Sequence, residues 1–132
     1  MTTKRALILL GVVVGLTTSS LSCGNDNDSD RLGIASECTL DADCPKVDGL
    51  QLTCLTMFKG GYCGLQGCVQ DADCPFGAAC ISEGGGNYCF RECIDKPECN
   101  TRRSLANEAN CVGSAVHVGL SMAKVCVPPS GN

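Results

Sequence analysis

The sequence predicts a small disulfide-rich fold, with tandem four-cysteine modules, short β-hairpins and little regular secondary structure. Three observations predict it. Thirteen of the 132 residues are cysteine, a density that marks a disulfide scaffold. Twelve of the thirteen fall into three copies of one spacing pattern. The chain also lacks Trp, has only five other aromatic residues, and carries 16 glycines. Such a composition buries little large apolar surface, so covalent staples are expected to replace a missing core.

Taken in chain order, the first element is an export leader at residues 1–22. Lys4 and Arg5 form its charged start, "ALILLGVVVGL" (6–16) its apolar run, and "TTSSLS" its small polar end. Eleven apolar residues are too few to span a bilayer, which takes about 20. An uncleaved membrane anchor is the alternative. Outside the cytoplasm cysteines oxidise and stay paired. Removing residues 1–22 takes away two positive charges and leaves a net charge of −6 from the formal −4. That balance argues against nucleic acid and against a strongly anionic membrane surface as partners.

Cys23 stands apart, because twelve cysteines pair completely and thirteen cannot. The stretch Ser20-Leu21-Ser22-Cys23 resembles a bacterial lipoprotein signal, in which the cysteine after the cleavage site carries the lipid. Ser22 fits that pattern; Ser20 stands where Leu is usual, with Leu one position late. The resemblance implies a lipid on Cys23 and a membrane partner through buried methylenes. It implies an outer-membrane or cell-surface location rather than the inner membrane. The alternatives are a free or dimerising Cys23 and a soluble secreted or periplasmic protein. Residues 23–36, including "GNDNDSDRLGIAS", read as the attachment point and a flexible tether with almost nothing to enter a core. Alternate Asp26, Asp28 and Asp30 could suit calcium, but the stretch lacks the central Gly and downstream Glu of an EF-hand loop.

The modules span 37–64, 67–90 and 92–128, the third with longer loops. Their cysteines are Cys38, Cys44, Cys54 and Cys63; Cys68, Cys74, Cys80 and Cys89; and Cys93, Cys99, Cys111 and Cys126. Each copy opens with C-x5-C, and "DADCP" recurs at 41–45 and 71–75. Four cysteines allow three pairings, and spacing alone leaves all three open. First with third and second with fourth is preferred, because it closes loops from both ends. "GGYCG" and "GNYCF" fit short hairpin strands. "RRSLANEAN" could form two helical turns. Val116, Val118, Leu120 and Met122 alternate with polar or small residues, which suggests a strand with one apolar face and an exposed His117.

The "DxDCP" repeats with their later "YC" resemble predicted cysteine-rich lipoproteins of myxobacteria and relatives. They are also similar to the N-terminal cysteine-rich motif of the Dickkopf family. The likeness covers 38–90 well and 93–126 by cysteines alone, since Asn100 replaces the Pro. Dickkopf-type modules bind other proteins, so the likeness implies a protein partner, as yet unidentified.

Little else in the sequence suggests chemistry. The disulfide count consumes the thiols a Cys–His mechanism needs, and no nucleophile-elbow, phosphate-loop or HExxH motif occurs. The chain is not expected to be an enzyme. Metal held through sulfur is not expected, since zinc favours closer cysteine pairs and His117 is the only histidine; no cofactor is expected either. Asp41, Asp43, Asp71 and Asp73 could hold calcium, but the repeat favours turn-capping. The expected role is a non-catalytic exported lipoprotein that presents its modules for protein binding or a structural envelope role. The alternative is a small protease inhibitor that offers Arg102 and Arg103 from a loop.

Overall fold

The computed structural model describes residues 33–47 and 50–131. The expected leader, Cys23 and tether residues 24–32 lie outside the described residues. Six disulfides bond all twelve cysteines of the three units. They join Cys38 to Cys54, Cys44 to Cys63, Cys68 to Cys80, Cys74 to Cys89, Cys93 to Cys111 and Cys99 to Cys126. Each unit thus links its first cysteine to its third and its second to its fourth. The fold is a small disulfide-rich one of short strands and turns.

The repeated acidic residues explain why units 1 and 2 close alike. Asp41–Asp43 and Asp71–Asp73 each form a single 3-10 turn. The second Asp of each turn caps backward: Asp43 Oδ2 accepts the N–H groups of Thr39 and Leu40, and Asp73 Oδ2 those of Val69 and Gln70. The first Asp reaches forward to the third cysteine. Asp41 Oδ1 accepts Cys54 N–H at 2.8 Å, and Asp71 Oδ1 accepts Cys80 N–H at 3.0 Å. Carboxylates bonded to backbone N–H groups make strong, charge-assisted contacts. In unit 3, α1 (Lys96–Cys99) replaces the 3-10 turn, capped by Asp95. Glu98 Oε2 takes the backward role on Ile94 N–H at 2.6 Å.

The strands are brief. β1 (Lys46–Val47) pairs β2 (Leu50–Gln51), and β3 (Thr53–Cys54) pairs β4 (Cys63–Gly64), all antiparallel. The main sheet holds β5 (Ala78–Glu83) and β6 (Gly86–Cys93) from unit 2 with β7 (Asn110–Val112), β8 (Val116–His117) and β9 (Lys124–Val127) from unit 3. Its order is β7-β9-β6-β5-β8. The units therefore share a sheet: Glu92 lies opposite Val125, and Ile81 opposite His117.

They also share a core. Phe58 and Tyr62 of unit 1 meet Tyr88 and Phe90 of unit 2, with centroids 5.1–6.0 Å apart across the boundary and within unit 1. Edge-to-face pairs of this kind add about 0.5–1.5 kcal/mol each beyond burial. Tyr62 is fully buried, and its hydroxyl oxygen accepts Arg91 N–H at 3.1 Å; burial pushes the phenol pKa well above its ordinary range. The expectation that staples stand in for a core needs correction. A core exists beside the staples: four of the five aromatics gather in one place, and the cystines pack among them.

Three further expectations are corrected. The tether does not extend to residue 36, because Ile34 is 1% exposed, Ala35 is also buried, and the segment is stitched down. Ala35 N–H donates to Cys63 O, Cys63 N–H to Ser36 O, and Glu37 N–H to Arg102 O. "RRSLANEAN" makes one 3-10 turn at Leu105–Asn107 rather than two helical turns. Side chains hold it instead: Asn100 bonds Ala109 through both its N–H and C=O, so the loop folds back on α1. The alternating stretch forms a strand only at Val116–His117. Beyond it, Val118 N–H still bonds Cys80 O, and Asp71 Oδ2 then accepts Ser121 N–H.

The chain also returns to where it began. Lys59 N–H donates to Pro129 O, Gly131 N–H donates to Met57 O, and Phe58 bridges Ser130. Unit 1 thus contacts the end of unit 3 as well as unit 2.

Candidate binding surface

Arg103 is half-buried and bonded within the protein. Its Nε donates to Asn107 O at 2.7 Å, Nη1 to Ala35 O at 3.1 Å and Gly61 O at 2.9 Å, and Nη2 to Lys59 O at 2.7 Å. The guanidinium fork thereby staples unit 3 to unit 1. Partial burial lowers its pKa, against the pull of Tyr62 and Glu37. Glu37 completes the staple by accepting Ser104 N–H at 2.8 Å and Asn107 Nδ2 at 2.6 Å. The Ser104 bond holds its carboxyl below the usual range, and Asn107 and Arg103 add to this against some burial. Gly60 and Gly61 both have positive φ, and a Cβ on Gly61 would strike the Cys38 carbonyl. Only glycine lets that turn sit under the arginine. Arg102 is exposed, with its guanidinium over Gly33 and its carbonyl bonded to Glu37.

The repeated aspartates point at backbone. Backbone N–H groups of Thr39 and of Val69 are the main reason Asp43 and Asp73 sit below the ordinary carboxylate range. Burial pulls Asp71 upward, but N–H groups from Cys80, Ser121 and Leu120, with His117 beside it, hold it low. His117 is half-buried rather than exposed, and its Nδ1 is buried with no hydrogen-bond partner in the described structure. Three cysteine triads bring their sulfurs within 4.8 Å of one another, at Cys38/Cys44/Cys54, Cys68/Cys74/Cys89 and Cys93/Cys99/Cys111. Every one of these sulfurs is in a disulfide, so none is a thiolate donor. A groove of about 450 Å³ borders the Cys38–Cys54 bridge, lined by Thr39, Thr56, Phe58, Lys59 and the glycines 60, 61 and 131. It joins hydroxyls to one cation and holds no nucleophile–base pair.

The most exposed large apolar side chains, Leu120, Met122 and Leu105, lie in unit 3. Between β8 and β9 the chain runs along the rim of unit 2. Val118 N–H donates to Cys80 O at 2.9 Å, Ser121 N–H to Asp71 Oδ2 at 2.9 Å, and Ser121 Oγ to Glu92 Oε1 at 3.0 Å. Held this way, Leu120 is 97% exposed and Met122 92% exposed. Glu92 N–H in turn bonds Gly77 O, next to the exposed Phe76. The apolar face expected of residues 116–122 therefore exists, beyond β8, as an exposed loop and not as a continuous strand.

The sequence did not single out Ile34, Glu37, Asn100 or Asn107. Their partners lie up to 70 residues away, and no local periodicity signals such contacts. A buried-size Ile in an otherwise polar stretch was the one available clue. Comparison with protein-family models, with curated proteins and with solved structures finds no match for this chain.

Proposed function

We propose that this chain is an exported, non-catalytic lipoprotein, held to a membrane by a lipid on Cys23, whose disulfide-locked body presents a binding or structural envelope surface. One observation carries the reading. All twelve cysteines from Cys38 to Cys126 are bonded to one another, which leaves Cys23 as the one cysteine outside the pairing. An exported odd cysteine at the end of an apolar leader calls for another fate, and acylation supplies it. The acidic repeats and Arg103 support a non-catalytic role, because they are spent on backbone groups. The likeness of the "DxDCP" repeats to cysteine-rich lipoproteins of myxobacteria and to Dickkopf modules belongs to the same reading, as does a protein partner. The inhibitor reading is weakened, since Arg103 would have to leave four carbonyl bonds to enter a protease pocket.

The test is intact-mass measurement of the protein extracted from membranes, paired with fractionation of a Cys23→Ser variant. The expected mass shows cleavage before residue 23, acyl chains on Cys23 and twelve missing thiol hydrogens. The variant is expected in the soluble exported fraction. An unmodified Cys23 and unchanged fractionation would overturn the reading.

A further inference from the structure

We propose that the loop between β8 and β9 is a second membrane contact, with Leu120 and Met122 entering the interfacial zone of a lipid bilayer. The inference deepens the proposed function and rests on the same anchored reading, but its test is separate.

Four features carry it. First, Leu120 and Met122 are nearly fully exposed, so both side chains are free to enter a deformable phase. Second, residues 113–123, "GSAVHVGLSMA", contain no Asp, Glu, Lys or Arg, and the carboxylates nearest the tip, Asp71 and Glu92, are bonded to Ser121 on the protein side of the loop. Third, four backbone donors of this stretch have partners inside the protein. Val118 bonds Cys80, Leu120 and Ser121 bond Asp71, and Ala123 N–H donates to Ser121 Oγ at 3.2 Å. Unpaired N–H groups are what most oppose entry of a loop into an apolar phase. Fourth, nine residues separate Cys23 from Gly33, so the ten steps between them, at about 3.3–3.6 Å each, span ~36 Å at most. A body anchored at Cys23 is therefore confined close to the bilayer. The net charge of −6 after leader removal selects a zwitterionic surface over an anionic one.

The chain has no Trp, so one introduced Trp reports its own surroundings. The full chain, exported with its own leader, is made as Leu120→Trp and as Leu105→Trp. Leu105 is also exposed on unit 3, at 89%, but lies in the loop stapled to unit 1. Each variant is purified, mixed or reconstituted with phosphatidylcholine vesicles, and compared with vesicles of brominated acyl chains. The expected result is a blue shift and about twofold quenching at position 120, with neither at position 105. No quenching at 120, or equal quenching at both positions, overturns the proposal. The mass of Cys23 is measured on the same samples. Quenching at 120 without a lipid on Cys23 supports the contact and removes the anchor. A lipid on Cys23 without quenching at 120 does the reverse.

Discussion

At the scale of single residues, the carboxylates of the repeat do two different jobs. Asp41 holds one amide across its unit, while Asp71 holds that of Cys80 and also those of Leu120 and Ser121. Asp71→Ala is accordingly expected to cost more than Asp41→Ala, about 1–3 kcal/mol against roughly 1, as read from guanidinium denaturation with disulfides intact. Equal losses would mean that the unit 3 loop does not depend on Asp71. Arg103→Lys is expected to cost about 1–3 kcal/mol, since a lysine cannot reproduce a fork bonded to four carbonyls. Arg102→Ala should stay within about 0.5 kcal/mol. The acidic groups also set a pH dependence. Glu37, Asp43, Asp71 and Asp73 all have lowered folded pKa values. Their contribution is therefore complete above the ordinary carboxylate range and is lost as pH falls through the folded values. The denaturation midpoint should be level near neutrality and decline below about pH 4. A midpoint that rises on acidification would contradict these bonds.

At the scale of elements, the legible parts are those with local causes. "DADCP" twice over signals the same turn twice, and the turn's bonds run between residues three to thirteen apart. "GNYCF" lies within β6, whose partner β5 is joined by a short glycine turn. The elements misread have distant causes. Residues 33–36 look like spacer because they continue the polar stretch "GNDNDSDR", yet Ile34 is buried by the rest of the chain. Ile34→Ala is expected to lower stability by about 2–5 kcal/mol, the ordinary cost of truncating a buried large aliphatic side chain, against almost nothing if that residue were tether. The same denaturation series measures it. The alternation after Val116 looks like a strand, but a strand needs a neighbour. β5 pairs with Val116 and His117 and takes one more amide, that of Val118, on Cys80 O; Asp71 then takes up that of Ser121.

At the scale of the whole molecule, three modules were legible from cysteine spacing, but their fusion was not. Fusion depends on Phe58 and Tyr62 meeting Tyr88 and Phe90, on β9 pairing with β6, and on Arg103 reaching back to unit 1. None of these contacts leaves a mark within one repeat. They predict that the disulfide-intact body unfolds in a single calorimetric transition. Separate transitions for the three units would show instead that each stands alone. Removing one bridge should then be felt everywhere. A Cys99→Ser/Cys126→Ser variant opens the widest bridge, 27 residues apart, and is expected to lose about 2–5 kcal/mol from that one transition.

The pairing of residues 129–131 with Met57–Lys59 bears on how the molecule is made. The first unit in chain order is also the one that waits for residues 129–131 before its outer edge is zipped shut. Folding therefore cannot finish one repeat at a time from the N-terminal side. A chain cut short by a handful of residues would leave its oldest part unsealed.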